Sequence, residues 1–198
     1  MSENLIEIRD LTIEFRLRNG VIRAVDNVSF DIPKGKISAL VGESGSGKST
    51  MASAILNIVS SPGVITKGSI MLNGQDILKF NKNSLQNYRW SDVSMVFQAA
   101  QNALNPVMRV GEQIIETVLS HKRMAKEDIL KKAAQLLDYV RLDAERVLGA
   151  YPHELSGGMK QRVMIAFSLL LDPKLVILDE PTTALDVITQ DYIFLIFC

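Results

Sequence analysis

Gly42-Glu43-Ser44-Gly45-Ser46-Gly47-Lys48-Ser49 is the stretch whose reading decides the fold. It fits G-x-x-x-x-G-K-[ST]. A short apolar run, Ile37 to Val41, precedes it, and a helical segment from about Lys48 to Val59 follows. Glycines let backbone N–H groups turn inward and approach phosphates closely. The helix N-terminus adds partial positive charge. Gly42, Ser44, Gly45, Gly47, Lys48, Ser49 and Thr50 form the expected nucleotide-binding set. Lys48 should reach the β- and γ-phosphates, and the Ser49 hydroxyl should ligate Mg²⁺.

A second apolar run, Leu175-Val176-Ile177-Leu178, leads directly into Asp179-Glu180. Open α/β sheets bind ligands at the C-terminal ends of their strands. Asp179 is placed to hold the Mg²⁺ shell through water. Glu180, the next residue, faces differently and can address the attacking water. Phosphoryl transfer needs this division between charge neutralisation and orientation of the nucleophile.

The remaining pattern is α/β. Leu5 to Leu17 alternates apolar and charged residues, with a bend expected near Asp10, and Asn19-Gly20 is a hairpin signal. Val21 to Ile32 returns as strand until Pro33-Lys34-Gly35. Ile37 to Val41 reads as a strand buried on both faces. Ser69 to Leu72 and Val93 to Phe97 are further strands. Ile114, Ile115, Val118 and Leu119 are at helical spacing, as are Ile129, Leu130, Ala133, Leu137 and Val140. Between Gln98 and Leu155 only helices are expected, an all-helical insertion in an α/β domain. A helix from about Gly157 to Leu171 resumes the pattern.

Composition narrows the function. The 198 residues carry 22 Lys+Arg and 22 Asp+Glu, so no basic excess marks a general nucleic-acid binder. Apolar residues are 47% and charged residues 22%, ordinary globular values. One cysteine, Cys198, excludes a disulfide framework within these residues and a cysteine-based metal site, and fits a reducing compartment. Met1-Ser2-Glu3-Asn4 is unlike a secretory leader. The longest uncharged run of the second half, Val163 to Leu171, is nine residues, against about 20 for a membrane span. Any membrane connection is expected through another subunit.

Leu155-Ser156-Gly157-Gly158-Met159-Lys160-Gln161-Arg162 resembles the signature of ATP-binding cassette (ABC) ATPases. The loop at Gly42, Gln98 after a strand, Asp179-Glu180, Pro181-Thr182-Thr183 and Ala184-Leu185-Asp186 match that family in order, over about residues 5 to 191. Tyr151-Pro152-His153-Glu154, Phe97-Gln98 with Asn102-Ala103-Leu104-Asn105-Pro106, and Arg23-Ala24-Val25-Asp26 resemble the ATPase subunits of dipeptide, oligopeptide and nickel importers.

The resemblance implies a P-loop NTPase core with an antiparallel β hairpin region and a helical subdomain. Residues 1–98 and 156–198 would form the core, and about 99–155 the insertion, in one truncated domain. It implies ATP and Mg²⁺ as cofactors, with Glu180 and Gln98 catalytic and Ser49, Gln98 and Asp179 around the metal. Ser156, Gly157 and Gly158 would form a second helix N-terminus that meets the γ-phosphate held by an opposite subunit. Asp186 would lie at that dimer interface. Phe15 either stacks on adenine or packs in the core; both readings stand. His153 is expected to be a structural loop residue, His121 to lie on a solvated face, and Lys126 to Lys132 on an exposed helix face.

The function so implied is ATP hydrolysis that powers import of peptides or nickel. The partners would be a second ABC ATPase subunit, integral permease subunits and, indirectly, a solute-binding protein, with no nucleic acid. The place would be the cytoplasmic face of the membrane. The alternatives are a non-transport ABC ATPase, or a nucleotide-binding fragment without turnover. The latter follows from the end of the chain. The family carries a further strand and a switch histidine beyond Asp186, whereas Cys198 comes twelve residues after it, and Tyr192 to Cys198 are seven apolar residues. The final strands are expected to be missing and the chain to be inactive alone.

Overall fold

The structure, a computed structural model, describes residues 3–98 and 102–180. It divides into two compact units, Met1–Gln86 and Asn87–Cys198. The helical stretch expected over about 99–155 falls wholly in the second.

The first unit is built on an antiparallel sheet of β1 (Asn4–Leu17), β2 (Gly20–Pro33), β3 (Gly63–Leu72) and β4 (Gln75–Asp76), in the order β2-β1-β3-β4. Ile6, Ile8, Leu11 and Ile13 of β1 and Ile70 of β3 are fully buried. The two-residue period breaks at Asp10, as expected. Pairing passes from Ile8↔Phe30 to Leu11↔Val28 on one side and from Arg9↔Ser69 to Thr12↔Lys67 on the other. One extra residue in β1 thus makes a bulge against both neighbours. Asp10 takes φ 49°, its N–H donating to Ser29 Oγ (2.8 Å) while Ser29 Oγ donates to Asp10 Oδ1 (3.2 Å). Opposite the bulge Gly68 has φ 91°, and a Cβ there would lie 2.5 Å from Arg9 O.

Two expectations need correction here. The hairpin turn is centred on Arg18-Asn19, one residue before the Asn-Gly signal, because Leu17 pairs with Gly20. Ile37 to Val41 is not a buried strand. It has no strand geometry, and Ile37, Leu40 and Val41 are 61%, 54% and 88% exposed. A strand sunk between helices depends on ladder partners on its edges, and none of this unit's described strands pairs with it.

The helix after the loop, α1 (Lys48–Ile55), stops short of Val59. Asn57 adopts φ 51°, its N–H donates to Ala54 O, and Ile58 N–H donates to Ser53 O, both at 2.9 Å. This double bond pattern terminates a helix whenever the residue after the cap turns left-handed.

Next, α2 (Lys82–Ser91) kinks at Arg89 and Trp90. The second unit then holds β5 (Val93–Val96), α3 (Val110–Leu119), α4 (Lys126–Tyr139), α5 (Ala144–Gly149), α6 (Gly157–Ser168) and β6 (Leu175–Leu178). Its core includes Val96, Ile114, Val118, Ile129, Leu137, Val163 and Phe167. β5 and β6 pair in parallel. Every residue of β5 is buried, but every residue of β6 is half-buried. Among the described residues β6 has one ladder neighbour, β5.

His121 departs from the expected solvated face. It is half-buried, and its Nδ1 is shut from solvent with no hydrogen-bond partner. Lys126, Glu127, Asp128 and Lys131 are exposed as expected, while Lys132 is half-buried and pairs with Asp172.

Candidate functional site

In the first unit the glycine-rich loop sits against β2. Gly47 is the N-cap of α1 with φ 91°, and a Cβ there would lie 2.4 Å from Ala24 O and 3.6 Å from Val25 Cγ2. Only glycine meets both the left-handed backbone and this approach. Gly45 has φ 79°. Lys48 Nζ donates to Gly42 O (2.8 Å) and Glu43 O (2.7 Å), so the ammonium lies within the curl of its own loop. Gly42, Ser44, Gly45 and Ser49 are exposed, and Gly47 and Thr50 are half-buried. The loop is thus open to an anion.

Phe15 is half-buried near the hairpin end, paired with Ile22. Its ring edge lies over Gly63, where a Cβ would come within 3.0 Å of Phe15 Cε1. Part of this ring is therefore committed to packing.

In the second unit the strand register assembles the carboxylate site. Val96 pairs with Leu178, and Asp179 N–H donates to Val96 O at 3.0 Å. Two residues beyond each strand end, Gln98 Nε2 donates to Glu180 Oε2 at 2.9 Å. Glu180 holds φ 49°, a conformation costing a non-glycine residue about 1–3 kcal/mol, of the kind that clusters at functional sites. Asp179 is half-buried and Glu180 exposed.

The signature forms the start of α6. Ser156 is the N-cap, its Oγ accepting from Met159 N–H at 3.3 Å, and no acidic residue occupies the first turn. Ser156 and Gly157 are exposed and Gly158 half-buried. His153 is an exposed residue of the preceding turn, stacked on Tyr151 at 5.6 Å between ring centroids. Sequence reading missed Arg162, which donates from Nη1 to Arg141 O (3.1 Å) and ties the signature helix to the chain just past α4. It also missed Gln113, buried among apolar neighbours of α3. The signal for Gln113 was a polar residue at a buried position of α3, whereas half-buried Arg162 carried no such signal. Asp186, with Pro181 to Leu185 and Tyr192 to Cys198, lies outside the described residues.

Residues 25–183 match the ABC transporter family. The chain belongs to this family. A dipeptide transport ATP-binding protein, DppD, of Caldanaerobacter subterraneus is 45% identical over 96% of this chain and 58% of its own length. The oligopeptide transport ATP-binding protein AppD of Bacillus subtilis is 48% identical over 94% and 57%. The chain therefore spans little more than half the length of these curated relatives. Among solved structures, the dimeric ATP-binding cassette MJ0796, in a post-hydrolysis state bound to ADP and Pi, superposes with a TM-score of 0.86 at 30% identity, over 96% of this chain and 80% of that one. The ABC ATPase fold expected from the motifs is thus the fold found.

Proposed function

We propose that this chain is the ATP-binding and ATP-hydrolysing part of a subunit that powers peptide import through a membrane permease. The observation that carries the reading is the Gln98–Glu180 hydrogen bond at the ends of two parallel strands. It supplies a carboxylate to take a proton from water and an amide to hold that carboxylate in place. The transport names of the relatives favour peptide cargo over nickel.

In this reading Lys48 exchanges the carbonyls of Gly42 and Glu43 for the β- and γ-phosphates. Backbone N–H groups of the loop from Gly42 to Thr50 bind the remaining phosphate oxygens. The donor chemistry suits Mg²⁺: the Ser49 hydroxyl of the first unit, and the Gln98 amide oxygen and Asp179 carboxylate of the second, are hard oxygens, and Mg²⁺ is commonly held by one or two carboxylates with substrate phosphates and water. When bound, Mg²⁺ neutralises charge on the phosphates. Phe15 offers the face of its ring to adenine while its edge remains on Gly63. Ser156, Gly157, Gly158 and Asp186 serve the nucleotide of a second ABC subunit. Among the described residues no helix is long and apolar enough to cross a membrane. The reading puts the chain at the cytoplasmic face, docked on permease subunits.

Glu180→Gln tests the chemistry. ATP hydrolysis is expected to fall about 10²- to 10⁴-fold with ATP affinity retained, and ATP should then accumulate a stable dimer. Normal turnover by this variant overturns the assignment. Uptake of labelled di- and oligopeptides by cells lacking the gene tests the cargo. Intact peptide uptake with lost nickel uptake would reverse the choice made here.

A further inference from the structure

The turn in front of the signature helix is held by a side-chain column that the catalytic reading does not use. Pro152–Glu154 forms one 3-10 turn, closed by Tyr151 N–H donating to Glu154 Oε2 at 2.7 Å. The Tyr151 ring stacks on His153 with 14° between the planes. The Arg109 guanidinium lies 5.3 Å from the centre of the same Tyr151 ring. Arg109 is the N-cap of α3, its backbone N–H donating to Glu112 Oε2 at 3.0 Å. One residue on, Val110 N–H donates to Ala150 O at 3.0 Å. A backbone bond and a cation–π contact therefore join the start of α3 to Ala150 and Tyr151.

The strut behind this contact is stiff. Gln113, 8% exposed, accepts from Asn105 N–H (2.9 Å) and donates to Asn105 O and Met108 O (both 3.0 Å). The segment Asn105–Met108 is thereby fixed to α3 immediately before Arg109.

We infer that Arg109 is a positioning residue for the signature. Its guanidinium on Tyr151 fixes the Pro152–Glu154 turn, and through it the direction in which the N–H groups at the start of α6 point. An anion site made of N–H groups is strong only when they converge without reorganisation. Arg109 is exposed, outside the core, so the role is separable from folding. The functional consequence rests on the proposed use of Ser156 to Gly158 as an anion site.

Hydrogen exchange of the peptide covering residues 155–160 is the test. Arg109→Gln is expected to speed exchange there about 2- to 5-fold, the value of one exposed cation–π contact, with Tm and exchange in β5 unchanged. Arg109→Lys, which keeps a cation over the ring, should restore slow exchange. Tyr151→Leu should match Arg109→Gln, and the double variant should add nothing further. Unchanged exchange in Arg109→Gln, or additive effects in the double variant, overturns the inference. ATP-driven self-association of the same variants is read separately. Faster exchange in Arg109→Gln without weaker association overturns the functional consequence and not the contact, whereas the signature reading beneath it fails only if Ser156→Asp still dimerises with ATP.

Discussion

Gln98 and Glu180 are joined by a hydrogen bond of 2.9 Å although 82 residues separate them in the chain. The parallel register explains the meeting. Val96 faces Leu178 at the last rung of β5 and β6, and equal advance on both strands brings 98 to 180. The left-handed backbone of Glu180 then turns its carboxylate onto the amide.

Lys48→Ala removes a charge that faces phosphates in both ground and transition states. Its loss should weaken ATP binding itself, by about 10- to 100-fold for a lost charge-assisted hydrogen bond. Calorimetric titration with ATP checks this, and unaltered affinity contradicts the phosphate-loop role.

Ser156 has a cap role and a proposed phosphate role, and two substitutions separate them. Ser156→Ala loses the bond from Met159 N–H and should cost about 1 kcal/mol of stability. Ser156→Asp keeps a capping oxygen and suits the helix dipole, so stability should stay within about 0.5 kcal/mol of the parent. The added negative charge should nevertheless abolish ATP-driven dimerisation. Dimers of Ser156→Asp in light scattering with ATP would sink the phosphate role.

Gly68→Ala should be among the most damaging changes in the first unit. A Cβ would meet Arg9 O at 2.5 Å and Leu11 Cα at 2.6 Å, and φ 91° strains any L side chain. Backbone strain alone is about 1–3 kcal/mol, which lowers Tm by about 2–12 °C in a chain of this size, and the two close contacts add to that loss. Gly74→Ala is the control. Its φ of 81° brings strain but nothing lies within 4 Å, so thermal unfolding should show a clearly smaller loss.

Tyr88 gives a pH dependence. Burial raises its phenol above the usual value, the charge of Asp92 adds to this, and Arg89 partly opposes it. Above about pH 10 the unfolded chain releases this proton while the folded chain retains it. The unfolded state then binds fewer protons, and stability falls as pH rises, by up to about 1.4 kcal/mol per pH unit from this group. Urea unfolding between pH 9 and 11 should show a shallower decline in Tyr88→Phe, and equal slopes would contradict the assignment.

The sequence by itself determined the local elements and the identity of the binding loop. The spacing of Gly42, Gly47, Lys48 and Ser49, the alternation in β1 and its break at Asp10, and the hydroxyl before Gly157 are short-range features. Each is written in one stretch of chain because period-2 burial, left-handed glycines and N-caps need only near neighbours. Tertiary structure decided whatever depended on a partner far along the chain. Glycine at 47 is demanded by the carbonyl of Ala24, which no loop pattern names. Ile37 to Val41 looked like a strand by composition, yet apolar residues do not make a strand without a neighbour to complete its hydrogen bonds. His121 stood in a polar run but lies half-buried, because burial belongs to the packed surface and not to adjacent residues. Arg109 reached Tyr151 only because α3 begins beside Ala150, a long-range backbone bond that a one-dimensional pattern does not carry.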